Sequence, residues 1–319
     1  MKKILIIRFS SIGDIVLTTP ILRCLKGQAV CELHYLTKSH YKDILSCNPH
    51  IDKIFIIKKY LKSVIKDLKK ENYDYIIDLH NNLRSSWVKM QLRGVSSFSL
   101  KKDNFKKALL LYFGINILRK HVVDRYFLTV KDLNIVNDNG SLDYFLPFGL
   151  NLDFNVNQKF IAWCIGGSYE QKKLSSDQII SVCNQIPTTV LLLGGSNEKS
   201  LGDMVVHTTT NGKVYNFCGT FSINESAYLI QKSVLVLTND TGMMHIASAF
   251  RKKIISFWGC TKPSLGFYPY KANNQSIAVI HEPHSRPCSK HGKYCRKTRK
   301  GCVKSIKPGI ILELIKNRL

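Results

Sequence analysis

The feature that most constrains this chain is an alternation of short Ile/Leu/Val-rich runs with longer amphipathic stretches, gone through twice. Residues 3–9 are a nearly unbroken apolar run, which predicts a strand buried on both faces, and residues 14–25 read as a helix. Further strands are expected at 32–36, 53–57 and 73–79, with helical stretches near 41–46 and 61–71. A second series has strands at 160–165, 188–193, 214–218, 234–238 and 254–258. Helices fit at 176–185, 198–210, 224–231 and 243–249, and a last one at 308–316 carries Pro308 in its first turn. Strands and helices at this spacing build βαβ units, and those build parallel sheets covered on both faces. The expected fold class is therefore α/β, with two Rossmann-like doubly wound domains facing a central cleft. We expect them at 1–155 and 156–319, with the boundary in the turn-rich 151–157. The last helix is a candidate to pack back on the N-terminal domain.

A chain of 319 residues accommodates two such domains. Its outlying property is charge: 47 Lys and Arg against 22 Asp and Glu, a formal net charge of +25. That balance predicts an anionic partner, which by charge alone is nucleic acid, an anionic membrane surface or a phosphorylated substrate. No apolar run reaches the ~18–20 residues of a membrane span. The opening MKKILIIRFSS imitates a signal peptide, but Arg8 cuts its apolar stretch short of the ~7–15 residues a secretory segment needs. We therefore expect a cytoplasmic protein whose ten cysteines are mostly reduced.

Open α/β sheets bind ligands at the carboxyl ends of their strands. Three strand-to-helix turns stand out there. The first is Ser10-Ser11-Ile12-Gly13-Asp14. Gly13 permits a tight turn; Asp14 is either a helix cap or a carboxylate placed to act as a general base. The second is Gly166-Gly167-Ser168, followed by Lys172 and Lys173, which are a solvated pair or a charge aimed at a phosphate. The third is Thr238-Asn239-Asp240-Thr241-Gly242, running into a small-residue helix whose free N–H groups suit an anion. His245 lies one turn further, as a core histidine or a second ligand contact. None of the three is a G-x-G-x-x-G or Walker sequence.

These segments carry a resemblance. KILIIRFSSIGDIVLTTPILRCLK and LTNDTGMMHIASAFRKKIISFWGCTKP look like the glycosyltransferase family 9 patterns S-S-(I/M/L)-G-D-(I/V), D-(S/T)-G-x-x-H-(I/L)-A-A-A and F-G-x-T-x-P. Asp78 to Ser85 resembles D-L-x-x-x-x-(R/K)-S, Gly166 to Lys172 resembles G-A-S-x-x-x-K, and Gly194 to Glu198 resembles G-x-x-x-E. The matches keep family order and span nearly the whole chain. The resemblance is to the ADP-heptose:lipopolysaccharide heptosyltransferases. It implies a GT-B architecture with acceptor bound by the N-terminal domain and nucleotide sugar by the C-terminal one. It also implies inverting, metal-independent transfer of a heptose or related sugar from an ADP-sugar, a substrate and not a cofactor, to a lipopolysaccharide core or lipid-linked acceptor. Carried over, Asp14 is the base and Lys172 meets the donor diphosphate. Gly13, Ser168, Gly195, Glu198, Asp240, Thr241, Gly242 and His245 belong to the donor site, with Glu198 at the nucleoside. Ser10, Ser11 and Arg84 face the acceptor, Arg84 at a phosphate. The chain departs from the family where a Trp-Pro pair is replaced by Leu174-Ser175 and a proline by Met243.

Cys288, Cys295 and Cys302 are separated by six residues each, among nine Lys and Arg between Arg286 and Lys307. Zinc sites usually bring C-x₂₋₄-C pairs, and none occurs here, so we expect no metal; some members of the family this chain resembles carry a similar C-terminal cysteine cluster, and the resemblance implies a structural role in an ordered loop. Residues 101–125 form a second basic stretch, read either as a solvated helix face or as a surface for anionic glycolipid at the inner membrane. The second reading gives a peripherally bound protein with no nucleic-acid partner. Charge alone keeps a nucleic-acid-binding protein as the rival, and a non-catalytic nucleotide-sugar binder is the other. A nicotinamide-dependent dehydrogenase would share the fold but lacks its glycine fingerprint.

Overall fold

The structure, a computed structural model, describes residues 1–152 and 158–319. The expected domain boundary at 155/156 lies outside the described residues. The chain divides into two compact units, Met1–Asp103 with Lys120–Pro147, and Asn104–Arg119 with Phe148–Leu319.

The first unit is built on five strands: β1 (Lys2–Ile7), β2 (Cys31–Lys38), β3 (Lys53–Ile57), β4 (Tyr75–Asp78) and β5 (Ser96–Ser99). All pair in parallel, in the order β3-β2-β1-β4-β5. Leu5, Ile7, Phe9, Leu36, Ile76 and Val88 pack in its core. The helix expected at 14–25 is two helices, Ile12–Val16 and Thr19–Gln28. Pro20 is the cause. It has no N–H to give to the Val16 carbonyl, which accepts instead from the Thr19 hydroxyl at 2.8 Å. Strand β5 and the helix Leu83–Gln91 escaped the sequence reading, because the four-residue β5 is the polar edge run SSFS.

The second unit holds β6 (Phe160–Cys164), β7 (Thr189–Leu193), β8 (Val214–Asn216), β9 (Leu235–Asn239), β10 (Ile254–Trp258) and β11 (Ile277–Ile280). They too are all parallel, in the order β11-β10-β9-β6-β7-β8. Strand β11, a short edge strand, was not anticipated. The chain closes on the helix Pro308–Lys316. Its apolar stripe of Ile311, Leu312 and Ile315 joins the core of its own unit with Ile179 and Val182 of the helix Ser176–Cys183. No helix among the described residues is long and apolar enough to cross a membrane.

Parallel pairing puts every strand's carboxyl end on one edge of its sheet. Strand order reverses between β1 and β4 in the first unit and between β6 and β9 in the second. Those reversals are where open α/β sheets leave room for a ligand.

Candidate active site

The first reversal carries Asp14. Strand β1 runs into Arg8 and Phe9, and the cis peptide Ser10–Ser11 leads to the helix Ile12–Val16. Asp14 Oδ2 accepts from the Ser11 hydroxyl at 2.9 Å and the Ser11 N–H at 3.3 Å, so it does cap its own helix. It also pairs with Arg8 at 2.7 Å. Its other oxygen, Oδ1, has no hydrogen-bond partner among the described residues. Burial opposes its ionisation, but Arg8 and the two Ser11 donors outweigh burial and hold the carboxyl below the usual carboxylate range.

Arg8 was not singled out from sequence, and it organises this turn. Its guanidinium donates to the Ser10 carbonyl at 2.7 Å and to the Leu79 carbonyl, beyond β4, at 2.6 Å. It thereby ties the β1 and β4 turns together. His80 stands beside them with its ring 5.0 Å from Phe9. Burial, and then Arg8, push its imidazole down to about 4, so it is neutral at pH 7. The rest of the β4 turn is scaffolding. Buried Asp78 accepts from the His80 and Asn81 N–H groups and pairs with Lys89 at 3.0 Å. Asn82 caps the next helix with Ser85. Arg84 is exposed on that helix and lines a cavity of ≈ 620 Å³ with Phe9, Lys38, His40, Lys58 and Lys59. Such a wall suits an anion. Ser10 is half-buried, Ser11 exposed and Gly13 buried.

The second reversal brings together two residues that the sequence reading put at one substrate. Lys172 Nζ and Asp240 Oδ2 lie 2.7 Å apart, and the Thr261 hydroxyl donates to the same oxygen at 2.7 Å. An ammonium has three donors, so this contact leaves Lys172 capacity for a phosphate oxygen. Thr241 precedes the helix Gly242–Ala249 without a side-chain cap bond, so its side chain does not satisfy the first-turn N–H groups. His245 is buried one turn in. Asn239, at the end of β9, donates to the Ile165 and Gly166 carbonyls at 3.0 and 2.9 Å and so fixes the turn after β6 against its own.

Lys173 pairs with Glu198 at 3.1 Å, and Glu198 also accepts the Gly195 N–H at 3.1 Å. Glu198 is thus buried in the wall of this turn. Its Oε2 would lie 3.4 Å from a Cβ at Gly166, an ordinary contact. Ser168 and Gly195 are exposed on their turns.

The basic stretches are not uniformly solvated. Lys107 is buried over the Phe267 ring, 4.8 Å from its centroid, and Arg125 is buried beside Asp103 at 3.3 Å. Arg296 donates to the Leu111 carbonyl at 2.6 Å. Two groups among the described residues have metal-like spacing. Glu32, His34 and Glu71 are one, but Lys3 and Lys53 already pair with Glu71 and make it an ion-pair network. The other joins the three loop cysteines to Cys260, which the spacing argument had no means of finding.

With this geometry in view, comparison with known proteins gives a consistent result. The family model for glycosyltransferase family 9 (heptosyltransferase) matches residues 61–298. Lipopolysaccharide heptosyltransferase 1 of Campylobacter coli is 25% identical over 290 residues, covering 81% of this chain and 84% of that protein. Among solved structures, the family 9 glycosyl transferase of Veillonella parvula superposes with a TM-score of 0.81 at 19% identity, covering 99% and 96% of the two chains. The E. coli heptosyltransferase WaaC with ADP gives 0.72 at 15% identity, covering 99% and 97%. The fold is that of the GT-B heptosyltransferases, as the sequence resemblance implied. The chain belongs to glycosyltransferase family 9, the heptosyltransferase family.

Proposed function

We propose that this enzyme transfers a heptose from ADP-heptose to a lipopolysaccharide core or lipid-linked acceptor, inverting the anomeric centre with no metal in the transfer step. The observation that carries the reading is the state of Asp14: one oxygen held by Arg8 and Ser11, the other open. In this scheme the acceptor hydroxyl gives its proton to Asp14 Oδ1. Its oxygen forms a bond to the anomeric carbon as the bond from that carbon to the diphosphate oxygen breaks. The leaving ADP gathers negative charge, which Lys172 and the N-terminus of the helix Gly242–Ala249 stabilise. An aspartate is a weak base, but a sugar already close to an oxocarbenium ion needs little help from it.

Support for the donor comes from the C. coli relative, a lipopolysaccharide heptosyltransferase, and from the WaaC structure with ADP. The N-terminal unit takes the acceptor and the C-terminal unit the donor. Arg84 and its lysine-lined cavity receive an acceptor phosphate. Glu198 faces the nucleoside, while Thr241, Gly242 and His245 border the diphosphate and sugar.

Replacing Asp14 with Ala abolishes transfer while ADP binding survives. Near-normal turnover in that variant sinks the base assignment. A melting shift with ADP but not with UDP or GDP is expected of the donor site, and a shift equal for all three counts against the adenine nucleotide.

A further inference from the structure

Outside the two strand-order reversals, the densest set of metal-binding side chains is a knot of four cysteines in the second unit. Cys260 follows β10, and Cys288, Cys295 and Cys302 come from the basic loop after β11. All four Sγ atoms lie within 4.8 Å of one another. Cys288 is 3.9 Å from Cys295 and 3.8 Å from Cys302, and Cys295 is 3.2 Å from Cys302. A tetrahedral zinc with Zn–S of about 2.3 Å sets its sulfurs ~3.8 Å apart, so one ion fits with small adjustments. Cys260, Cys288 and Cys302 are buried and Cys295 is half-buried.

Two further features suit thiolates bound to a cation. The Thr298 N–H donates to Cys295 Sγ at 3.3 Å, a bond that an anionic sulfur accepts more strongly than a thiol. The loop from Arg286 to Lys307 also holds nine Lys and Arg and no Asp or Glu. Four thiolates on a divalent ion carry a net charge of −2, which supplies the counter-charge this loop lacks in its own sequence.

The knot lies directly behind the Lys172–Asp240 pair. Thr261, the neighbour of Cys260, makes the hydrogen bond to Asp240. Gly292, between Cys288 and Cys295, has φ +78°, and a Cβ there would meet Lys172 Cγ at 2.6 Å. Gly301, beside Cys302, has φ +96°, and a Cβ there would meet Gln171 Cα at 2.8 Å. The loop backbone is therefore pressed against Gln171 and Lys172, while the Cys260 side holds Asp240.

We propose that Cys260, Cys288, Cys295 and Cys302 bind one thiophilic divalent ion, zinc or iron(II), whose structural role is to fix the loop on which the Lys172–Asp240 pair rests. The positioning part rests on the reading of Lys172 as a ligand of the donor diphosphate; the metal site itself does not. Binding displaces the thiol protons to solvent, so the centre is an all-thiolate one with no open position for substrate.

The test is metal analysis of the full-length protein purified without chelator. About one equivalent of zinc or iron per chain is expected, released when a mercurial titrates the thiols. The elemental count, with near-ultraviolet absorption from iron(II)–thiolate charge transfer, tells the two ions apart. Cys288→Ser with Cys302→Ser loses the ion, whereas Cys183→Ala, a buried thiol elsewhere, keeps it. If the double variant does not fold, mercurial release from the unaltered protein still decides. Less than about a tenth of an equivalent of zinc and iron together, or an ion that stays after the thiols are blocked, overturns the site. ADP binding is then measured before and after metal removal. A loss of affinity that returns with the ion is expected, and unchanged affinity overturns the positioning role alone. Metal-replete protein that binds no ADP overturns that role together with the reading of Lys172, and leaves the metal count standing.

Discussion

Arg8→Met tests the organisation of the turn that follows β1. The wild-type guanidinium satisfies the Ser10 and Leu79 carbonyls and pairs with Asp14. Met preserves most of the stem's volume and none of the donors. Breaking a buried charge pair costs about 3–5 kcal/mol. Here the side chains are 11% and 25% exposed, so water can partly replace the lost donors. We expect a penalty of roughly 2–4 kcal/mol at pH 7. Its pH dependence has a defined sign. A carboxyl whose folded pKa is depressed contributes stability above its unfolded value of about 3.9, and that contribution fades as pH falls through the folded value. The Arg8→Met penalty is therefore largest at neutral pH and shrinks toward pH ~3. Activity moves as well. Without Arg8, burial acts on Asp14 with less opposition, its pKa climbs, and the acidic limb of kcat/KM shifts to higher pH. Urea unfolding at the two pH values and a pH–rate profile read both effects. A penalty below about 1 kcal/mol at pH 7, or one unchanged at low pH, refutes the argument. A double-mutant cycle with Asp14→Asn sharpens it, because residues in contact couple while independent ones add.

Two other expectations concern the donor and the membrane. Lys172→Met removes a charge from the proposed donor site and leaves Asp240 held by Thr261 alone, so ADP affinity measured by calorimetry is expected to fall by about tenfold or more; an unchanged affinity removes Lys172 from the proposed diphosphate site. Segment 104–119 exposes Phe105 and Phe113 at 75% and 72% amid basic residues, and we expect the protein to float with anionic but not neutral lipid vesicles. Equal flotation with both, or preferential capture by duplex DNA, counts against docking at an anionic leaflet.

How much of this was legible in the sequence depended on whether the signal was local. The long Ile/Leu/Val runs of β1, β6, β7 and β9 announce themselves, and the turns after them follow from the same alternation. Asp14, Lys172 and Asp240 could be singled out because each sits in such a turn. Arg8 was not, because in sequence it is only an interruption in an apolar run. Its partners, Ser10 and Asp14 nearby and Leu79 far along the chain, converge on it only in the fold. Cys260 was invisible for the same reason: its neighbours are brought to it by β11 and the loop that follows. Glu198 looked like a pure ligand contact, yet in the fold it also pairs with Lys173 and caps its own turn. Lys107 and Arg125 looked like patch residues, but their stems and charges are spent on Phe267 and Asp103.

The Asn239 amide has a practical consequence for anyone altering donor choice. By donating to Ile165 and Gly166 it makes two chain segments, far apart in sequence, a single mechanical part. Grafting a relative's 239–243 segment alone would strand two carbonyls and let the glycine turn drift from the lysine that follows it. A specificity transplant has to move 165–173 and 239–243 together, or keep Asn239 as the hinge pin between them.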